Sequence, residues 1–374
     1  MTRLNKLVVG TLILLVGNSP VGFAQHGNTS MLSFENVTVD STRNRVYYEH
    51  RLFRNPMSAM LALDQNEVLK EGAELVPLFQ GTPIARYRFK PMFSTALFTR
   101  QEREAYSADV PFEGRRYKFD FRIQPEFMAN FGYRENPLES KTNILLQSQL
   151  YLRRGLVLNW GILFPIVNDL DNQPLNVRPA PIFLNQFLAI AQADFMSISA
   201  GLFYNDRYGL NIQYRHSDLN KPWSFGLETG LTGFYFYPVN DFYYESLNDF
   251  LLLADVAYRF EKRNITLKLS GGQYMYRDRG ARIDFIRQFP NVEVGLYAIK
   301  TANGSTGGFN FAIPIPPGRI AQTKRFRVRS TEEFRWEYNY SRGYNIGSRY
   351  KVGYQLDALL RQYHNRYLKS QLGQ

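Results

Sequence analysis

The chain has 374 residues, no cysteine and a formal net charge of +12, with 45 basic residues against 33 acidic ones. The lack of cysteine excludes a disulfide framework, a thiolate nucleophile, a thiolate-bound metal and an acylated lipoprotein cysteine. Tyrosine (25) and phenylalanine (29) far outnumber tryptophan (3), and a mean hydropathy of −0.34 is too polar for a helical membrane protein.

At the amino terminus, Arg3 and Lys6 precede the apolar run LVVGTLILLV (Leu7–Val16), and small residues follow at Gly22 and Ala24. This order reads as a secretory signal over 1–24, cleaved after Ala24. A membrane anchor is the weaker reading, because the apolar run crosses only about half of a hydrocarbon core as a helix. Export makes nucleic acid the least favoured partner for the positive charge. Lipid headgroups, an acidic polymer or plain solvation of loops remain.

Residues 25–112 are expected to form a small periplasmic α/β unit. RVYYEH (Arg45–His50) is a strand candidate, and Met57, Met60, Leu61 and Val68 recur at helical spacing up to Lys70, with a stop at Gly72. ELVPLFQ (Glu74–Gln80) and IARYRF (Ile84–Phe89) return to extended structure, and Thr99–Arg116 reads as a polar connector.

From Tyr117 a period of two takes over. In KFDFRIQPEFMANFGY (Lys118–Tyr133) the odd places are apolar and the even places hold Asp120, Arg122, Gln124 and Glu126. Soluble strands average five or six residues, whereas a strand crossing a bilayer needs about 9–11 and alternates in this way. NILLQSQLYLR (Asn143–Arg153) sets Leu146, Leu150 and Leu152 against Gln147, Gln149 and Arg153. LLLADVAYRF (Leu251–Phe260), NITLKLSGG (Asn264–Gly272) and NVEVGLYAIK (Asn291–Lys300) repeat the pattern, with Asp255, Arg259, Lys268, Glu293 and Lys300 assigned to polar faces. The fold class expected is all-β, a single antiparallel transmembrane β-barrel of about 12 strands over 113–354 with the small N-terminal α/β unit before it. A soluble β-sandwich is the competing architecture, but its strands are shorter and need no tall apolar band. Leu356, Leu359, Leu360, Tyr363 and Tyr367 follow helical spacing. Residues 355–374 are therefore a short amphipathic helix that follows a last strand ending near Tyr354, a helix that caps or plugs the pore, or a frayed tail.

No catalytic, metal or cofactor constellation emerges, so none is expected. RHSDLN (Arg215–Asn220) places His216, Ser217 and Asp218 together, but neighbours on a strand point to opposite faces and cannot form a triad. NDLDN (Asn168–Asn172) lacks the downstream glycine and glutamate of a calcium loop, and the glycines at 304, 307 and 308 open no helix. What remains is a set of charged residues for the lumen, as ion pairs or polymer contacts: Arg122, Glu126, Arg153, Asp255, Arg259, Lys268, Arg282, Asp284 and Arg287.

The stretch from Phe242 to Pro316 contains a strand hairpin, DRGARIDFIRQF (Asp278–Phe289), VGLYA (Val294–Ala298) and a Gly-rich loop closing into GGFNFAIPIP (Gly307–Pro316). It resembles the YjbH family of bacterial outer-membrane β-barrels associated with exopolysaccharide production. RVYYEHRLFRNPMSAM (Arg45–Met60) and VPLFQG (Val76–Gly81) also look like the pre-barrel portion of shorter members, and elsewhere the chain agrees in pattern only. The resemblance implies an outer-membrane location and a non-enzymatic role in secretion of an exopolysaccharide or capsule. Outer-membrane lipids, exopolysaccharide and other secretion proteins are then the expected partners. It transfers no catalytic residue. Longer members hold two successive barrels, and this chain has room for one. A generic porin, an outer-membrane lipid hydrolase and a barrel that only anchors a periplasmic partner are the alternatives.

Overall fold

The computed structural model describes residues 34–65, 72–131, 138–239, 241–315, 321–339 and 345–372. The expected signal segment and the helical spacing from Val68 to Lys70 lie outside the described residues. Among those described, strands dominate and the all-β class stands.

The amino-terminal part is a small sheet with two helices. Its elements are β1 (Phe34–Asp40), β2 (Arg45–His50), α1 (Pro56–Gln65), β3 (Glu74–Phe79), β4 (Ala85–Arg88), β5 (Ser94–Leu97) and α2 (Arg100–Asp109). The strands pair in chain order, and only β2 and β3 run parallel. A parallel pair needs a crossover, and α1 supplies it. The segment read as a polar connector is a helix over its first part. Thr99 accepts the Glu102 N–H at 3.2 Å, and the Glu102 carboxylate accepts the Thr99 N–H at 3.0 Å. This capping box starts α2, and its mostly polar surface hid the helix from an apolar-spacing test.

The long strands follow: β6 (Phe119–Phe131), β7 (Leu138–Arg153), β8 (Leu156–Asn168), β9 (Phe183–Ala189), β10 (Asp194–Phe203), β11 (Arg207–Ser217), β12 (Trp223–Phe236), β13 (Asp249–Phe260), β14 (Ile265–Gln273), β15 (Arg279–Gln288), β16 (Glu293–Thr301), β17 (Gly304–Ile313), β18 (Phe326–Ser330) and β19 (Phe334–Asn339). Each pairs antiparallel with the next from β6 to β17. Closure departs from the all-antiparallel expectation. The rising segment β18–β19 lies parallel to β6 over Phe326–Ser330 and antiparallel to β17 over Phe334–Asn339, so the pairing returns to its first strand. The seam is parallel because β6 and β18 run in the same direction. Aromatic pairs bridge it further along, Phe127 with Trp336 at 5.9 Å and Phe131 with Tyr338 at 5.3 Å.

The two faces of the ring differ as the alternation requires. Phe119, Ile123, Ile144, Leu150, Phe225, Leu252, Leu267, Ile283, Phe285 and Leu296 all point outward and are exposed. The outward charges among the described strands, Arg153, Asp194, Arg279, Arg287 and Lys300, sit at or next to strand ends. Lys300 does not share the polar face with Glu293, against the expectation from sequence. Counting by two from Val294 and Leu296 puts it outside.

The last part of the chain corrects another expectation. Residues 345–354 are not the end of a wall strand. They return through the interior of the ring and lead into α3 (Leu356–Gln362) and α4 (Asn365–Lys369). Ile346, Tyr350 and Val352 are buried against Phe183, Phe203, Leu251, Leu253, Tyr297 and Ile299 from strands around the ring. The helices join one apolar core with the amino-terminal sheet, in which Tyr48, Tyr87, Leu356, Leu360 and Tyr367 are buried together. That core lies at the end of the ring where β6 begins, here called the lower end.

Candidate functional site: the lumen

Alternation sends every second side chain of β6–β19 inward, so the lumen collects whatever the even or odd places of each strand carry. Two chemistries separate there.

From β13 round to β6 the inward residues include many charged side chains, and most of these are paired. Arg329 holds both oxygens of Asp120 through Nε at 2.9 Å and reaches Glu332 at 2.7 Å. Arg282 lies 2.7 Å from Asp284 and 2.9 Å from Glu337, with its guanidinium 3.7 Å from the ring centre of Tyr297. Glu293 takes Arg335 at 2.7 Å and Arg361 of α3 at 3.0 Å. Asp357 of α3 takes Lys268 at 2.8 Å and Arg361 at 2.9 Å. Buried charges persist only when paired and hydrogen-bonded, and these pairs tie α3 to the wall.

From β7 to β11 the inward residues include a run of carboxamides instead. Gln147, Gln149, Asn159, Asn185, Asn211 and Gln213 are all buried. Four of them hold the returning chain. Tyr354 donates to Asn159 Oδ1 at 2.8 Å and accepts from Gln149, and Asn211 donates to the Tyr350 hydroxyl at 3.0 Å. Gln213 donates to the Tyr354 carbonyl at 2.9 Å and accepts the Leu356 N–H at 3.0 Å, as a strand neighbour would. On the wall side, the Tyr204 N–H donates to the Lys351 carbonyl at 3.1 Å. At Gly230 a Cβ would collide with the Tyr350 hydroxyl, so this wall position needs glycine to admit the strap.

The lower mouth is closed by the amino-terminal sheet. Arg51 lies between Glu35 (3.0 Å) and Glu49 (3.2 Å) and donates to Gln149 at 2.9 Å. Glu49 also accepts from the Tyr117 hydroxyl at 2.9 Å and the Gly81 N–H at 3.0 Å, while its burial raises its pKa. His364 accepts the Arg366 N–H at Nδ1 (3.2 Å), so its Nε2 carries the proton toward the Lys221 carbonyl at 3.1 Å. Burial, with Arg259 beside it, pushes the imidazole pKa down to about 4.

Of the residues singled out from the sequence, seven reach the lumen. Asp255 pairs with Arg215, Lys268 with Asp357, and Arg282 with Asp284. Arg259 donates to Gln288 at 2.7 Å, Glu126 accepts from Asn143 at 2.6 Å, and Arg122 stands 3.7 Å from Glu332. Two do not. Arg153 is exposed at the β7–β8 turn, because a register shift between Tyr151 and Arg153 breaks the alternation. Arg287 is exposed on the outside, since Arg282, Asp284 and Ile286 take the inward places of β15. Its guanidinium lies 4.8 Å from the ring centre of Phe289.

Sequence reasoning missed Arg215, Arg329, Arg335, Glu337 and the carboxamide run as a group. Parity was the available signal for Arg215 beside Asp255, whereas β18 and β19 are short and their alternation escapes notice. His216 points outward with Nδ1 2.8 Å from Asp194, and Ser217 points inward, so these neighbours do face opposite ways.

A model of the YjbH family, described as exopolysaccharide biosynthesis protein YbjH, matches residues 175–316, from the approach to β9 through β17. This bears out the family resemblance over that segment. No curated protein and no solved structure gives a match.

Proposed function

We propose that the protein is a non-enzymatic outer-membrane β-barrel that assists secretion of an exopolysaccharide. The observation that carries the membrane reading is the outward face: long strands, mostly apolar side chains and charges confined to strand ends. Soluble monomers rarely expose an apolar surface of that extent, whereas a lipid-facing wall requires one. Aromatic pairs near strand ends, Phe119 with Phe326 at 5.8 Å and Trp223 with Tyr258 at 4.7 Å, suit the interfacial girdles of such a wall. The lower end, with its short turns and the small sheet, then faces the periplasm. The family match supplies the link to exopolysaccharide, and the polar, filled interior gives no reason to assign chemistry.

A generic open porin is the second reading. It is disfavoured by residues 345–355, which fill the lumen rather than fold into a constriction loop. Separation of inner and outer membranes, with boiled and unboiled samples on a detergent gel, tests the location and the folded barrel. Deletion strains scored for surface polysaccharide test the role. Protein in the soluble periplasmic fraction with no heat-dependent mobility shift would overturn the barrel. Normal surface polysaccharide in the deletion strain would overturn the export role.

A further inference from the structure

The carboxamide side of the lumen is chemically unlike the rest of the interior. Gln147, Gln149, Asn159, Asn185, Asn211 and Gln213 come from neighbouring strands and carry no formal charge. Each carboxamide offers two donors and an acceptor. Four of the six use theirs on two tyrosine hydroxyls and two backbone groups of the segment 345–356. Gln147 Nε2 and Asn159 Nδ2, each on a residue at most 3 % exposed, have no hydrogen-bond partner within the described protein. The wall also meets Arg51 at Gln149 and Glu228 at Asn211. The strap, however, engages these amides through hydroxyls and peptide groups, and a buried wall left incompletely satisfied has spare capacity for a ligand made of hydroxyls.

We propose that this wall is a binding lane for a neutral, hydroxyl-rich saccharide chain, and that the strap 345–355 occupies the lane in the state seen here. The inference rests on the export reading above and names the chemistry of its cargo. A sugar hydroxyl both donates and accepts, as the Tyr350 and Tyr354 hydroxyls do, so strap and saccharide present interchangeable partners to the same amides. An extended peptide takes up about 5 by 10 Å in cross-section, which a single pyranose chain also fits. A polyanion is the poorer match. Arg51, the cation that reaches Gln149, already lies between Glu35 and Glu49, and Arg215 is paired with Asp255. Phe183 adds a ring face beside Tyr354 on which sugar C–H groups can stack.

The cysteine-free chain makes a direct test possible. Tyr204 and Lys351 face each other as an antiparallel bridge between wall and strap, a spacing that a disulfide can span. The full-length Tyr204→Cys/Lys351→Cys protein, folded in detergent with closure verified by mass, is titrated calorimetrically with neutral glucan, mannan and galactan heptamers and with a galacturonate heptamer. The reduced form is expected to bind a neutral heptamer. Oxidation should weaken that binding at least tenfold, roughly the loss when the competent population falls by that factor, and reductant should restore it. Gln147→Ala/Asn159→Ala, scored folded by its unboiled gel mobility, should bind the same heptamer more weakly. Equal binding by oxidised and reduced forms would overturn occupancy by the strap. Stronger binding of galacturonate would overturn the neutral lane, and so would no binding of any probe by the reduced form. None of these three results touches the export role, which stands or falls on the deletion phenotype.

Discussion

Glu293 sits at the lower end of β16 with its side chain about 1 % exposed, between Arg335 of the wall and Arg361 of α3. Removing its charge leaves the buried Arg361 and the half-buried Arg335 side by side, with Asp357 and Glu333 as their remaining partners. Glu293→Gln is expected to cost about 3–5 kcal/mol, read as a lowered urea midpoint of the folded barrel. On the outward face, the proposed contact with lipid sets the expected cost of a substitution. Ile283, at the middle of β15, is 44 % exposed, and Ile283→Arg should cost about 2–4 kcal/mol at the bilayer midplane. Its readout is loss of the fast-migrating unboiled band, and an unchanged band would overturn the facing assignment. His364 gives a pH dependence. Its folded pKa, about 4 against the ordinary 6.5, means that the unfolded chain binds the extra proton first. Stability from this group is therefore complete above pH 6.5 and lost as pH falls toward 4, by up to roughly 3 kcal/mol. His364→Asn keeps an acceptor for the Arg366 N–H and should flatten the fall in urea midpoint between pH 7 and 4.5.

Among the elements, the strap 345–355 depends on others for its shape. It has no continuous ladder of its own and is held by scattered contacts: the bridge at Tyr204, the Gln213 clamp, tyrosine hydroxyls, the Gly347 N–H on Asp278 and the Arg349–Glu228 pair. Gly230→Val should push Tyr350 off the wall at an overpacking cost of about 1–3 kcal/mol. Limited trypsin digestion of the folded protein would then cut at Arg349 or Lys351 where the wild type is protected. Protection unchanged in the variant would mean that Tyr350 has room elsewhere. The helix α2 teaches a different point about elements. Thr99 and Glu102 announced it by spacing, but only Arg103 and Tyr106 are buried on it, so it lacks a broad apolar stripe. The strands were the most legible elements, because an inside and an outside of opposite polarity write themselves into alternate residues.

At the scale of the molecule, the ring, the amino-terminal sheet and the carboxyl-terminal helices form one compact unit over residues 33–374. Tyr363 shows how they are joined: its hydroxyl is 3.3 Å from His50, and its carbonyl accepts from Tyr87 at 2.7 Å. Truncation before Leu356 removes both helices and should consequently destabilise the small sheet, detectable as proteolysis near β1–β5 in the truncated protein. By itself the sequence determined the class of fold and the facing of the stretches whose alternation it makes plain, Arg153 and Lys300 apart. Lys118–Tyr133 could be assigned inward and outward because a period of two is local and survives any closure. It also determined the family resemblance, carried by consecutive residues between 242 and 316. Tertiary structure alone decided the parallel seam between β6 and β18, the outward placement of Arg153 and the path of residues 345–355. Each depends on partners far away in the chain. A strand's neighbour across the seam, a shifted register and a strap held by Gln149, Asn211 and Gln213 leave no periodic trace in the segment that obeys them, because long-range contacts choose among conformations that the local sequence permits equally.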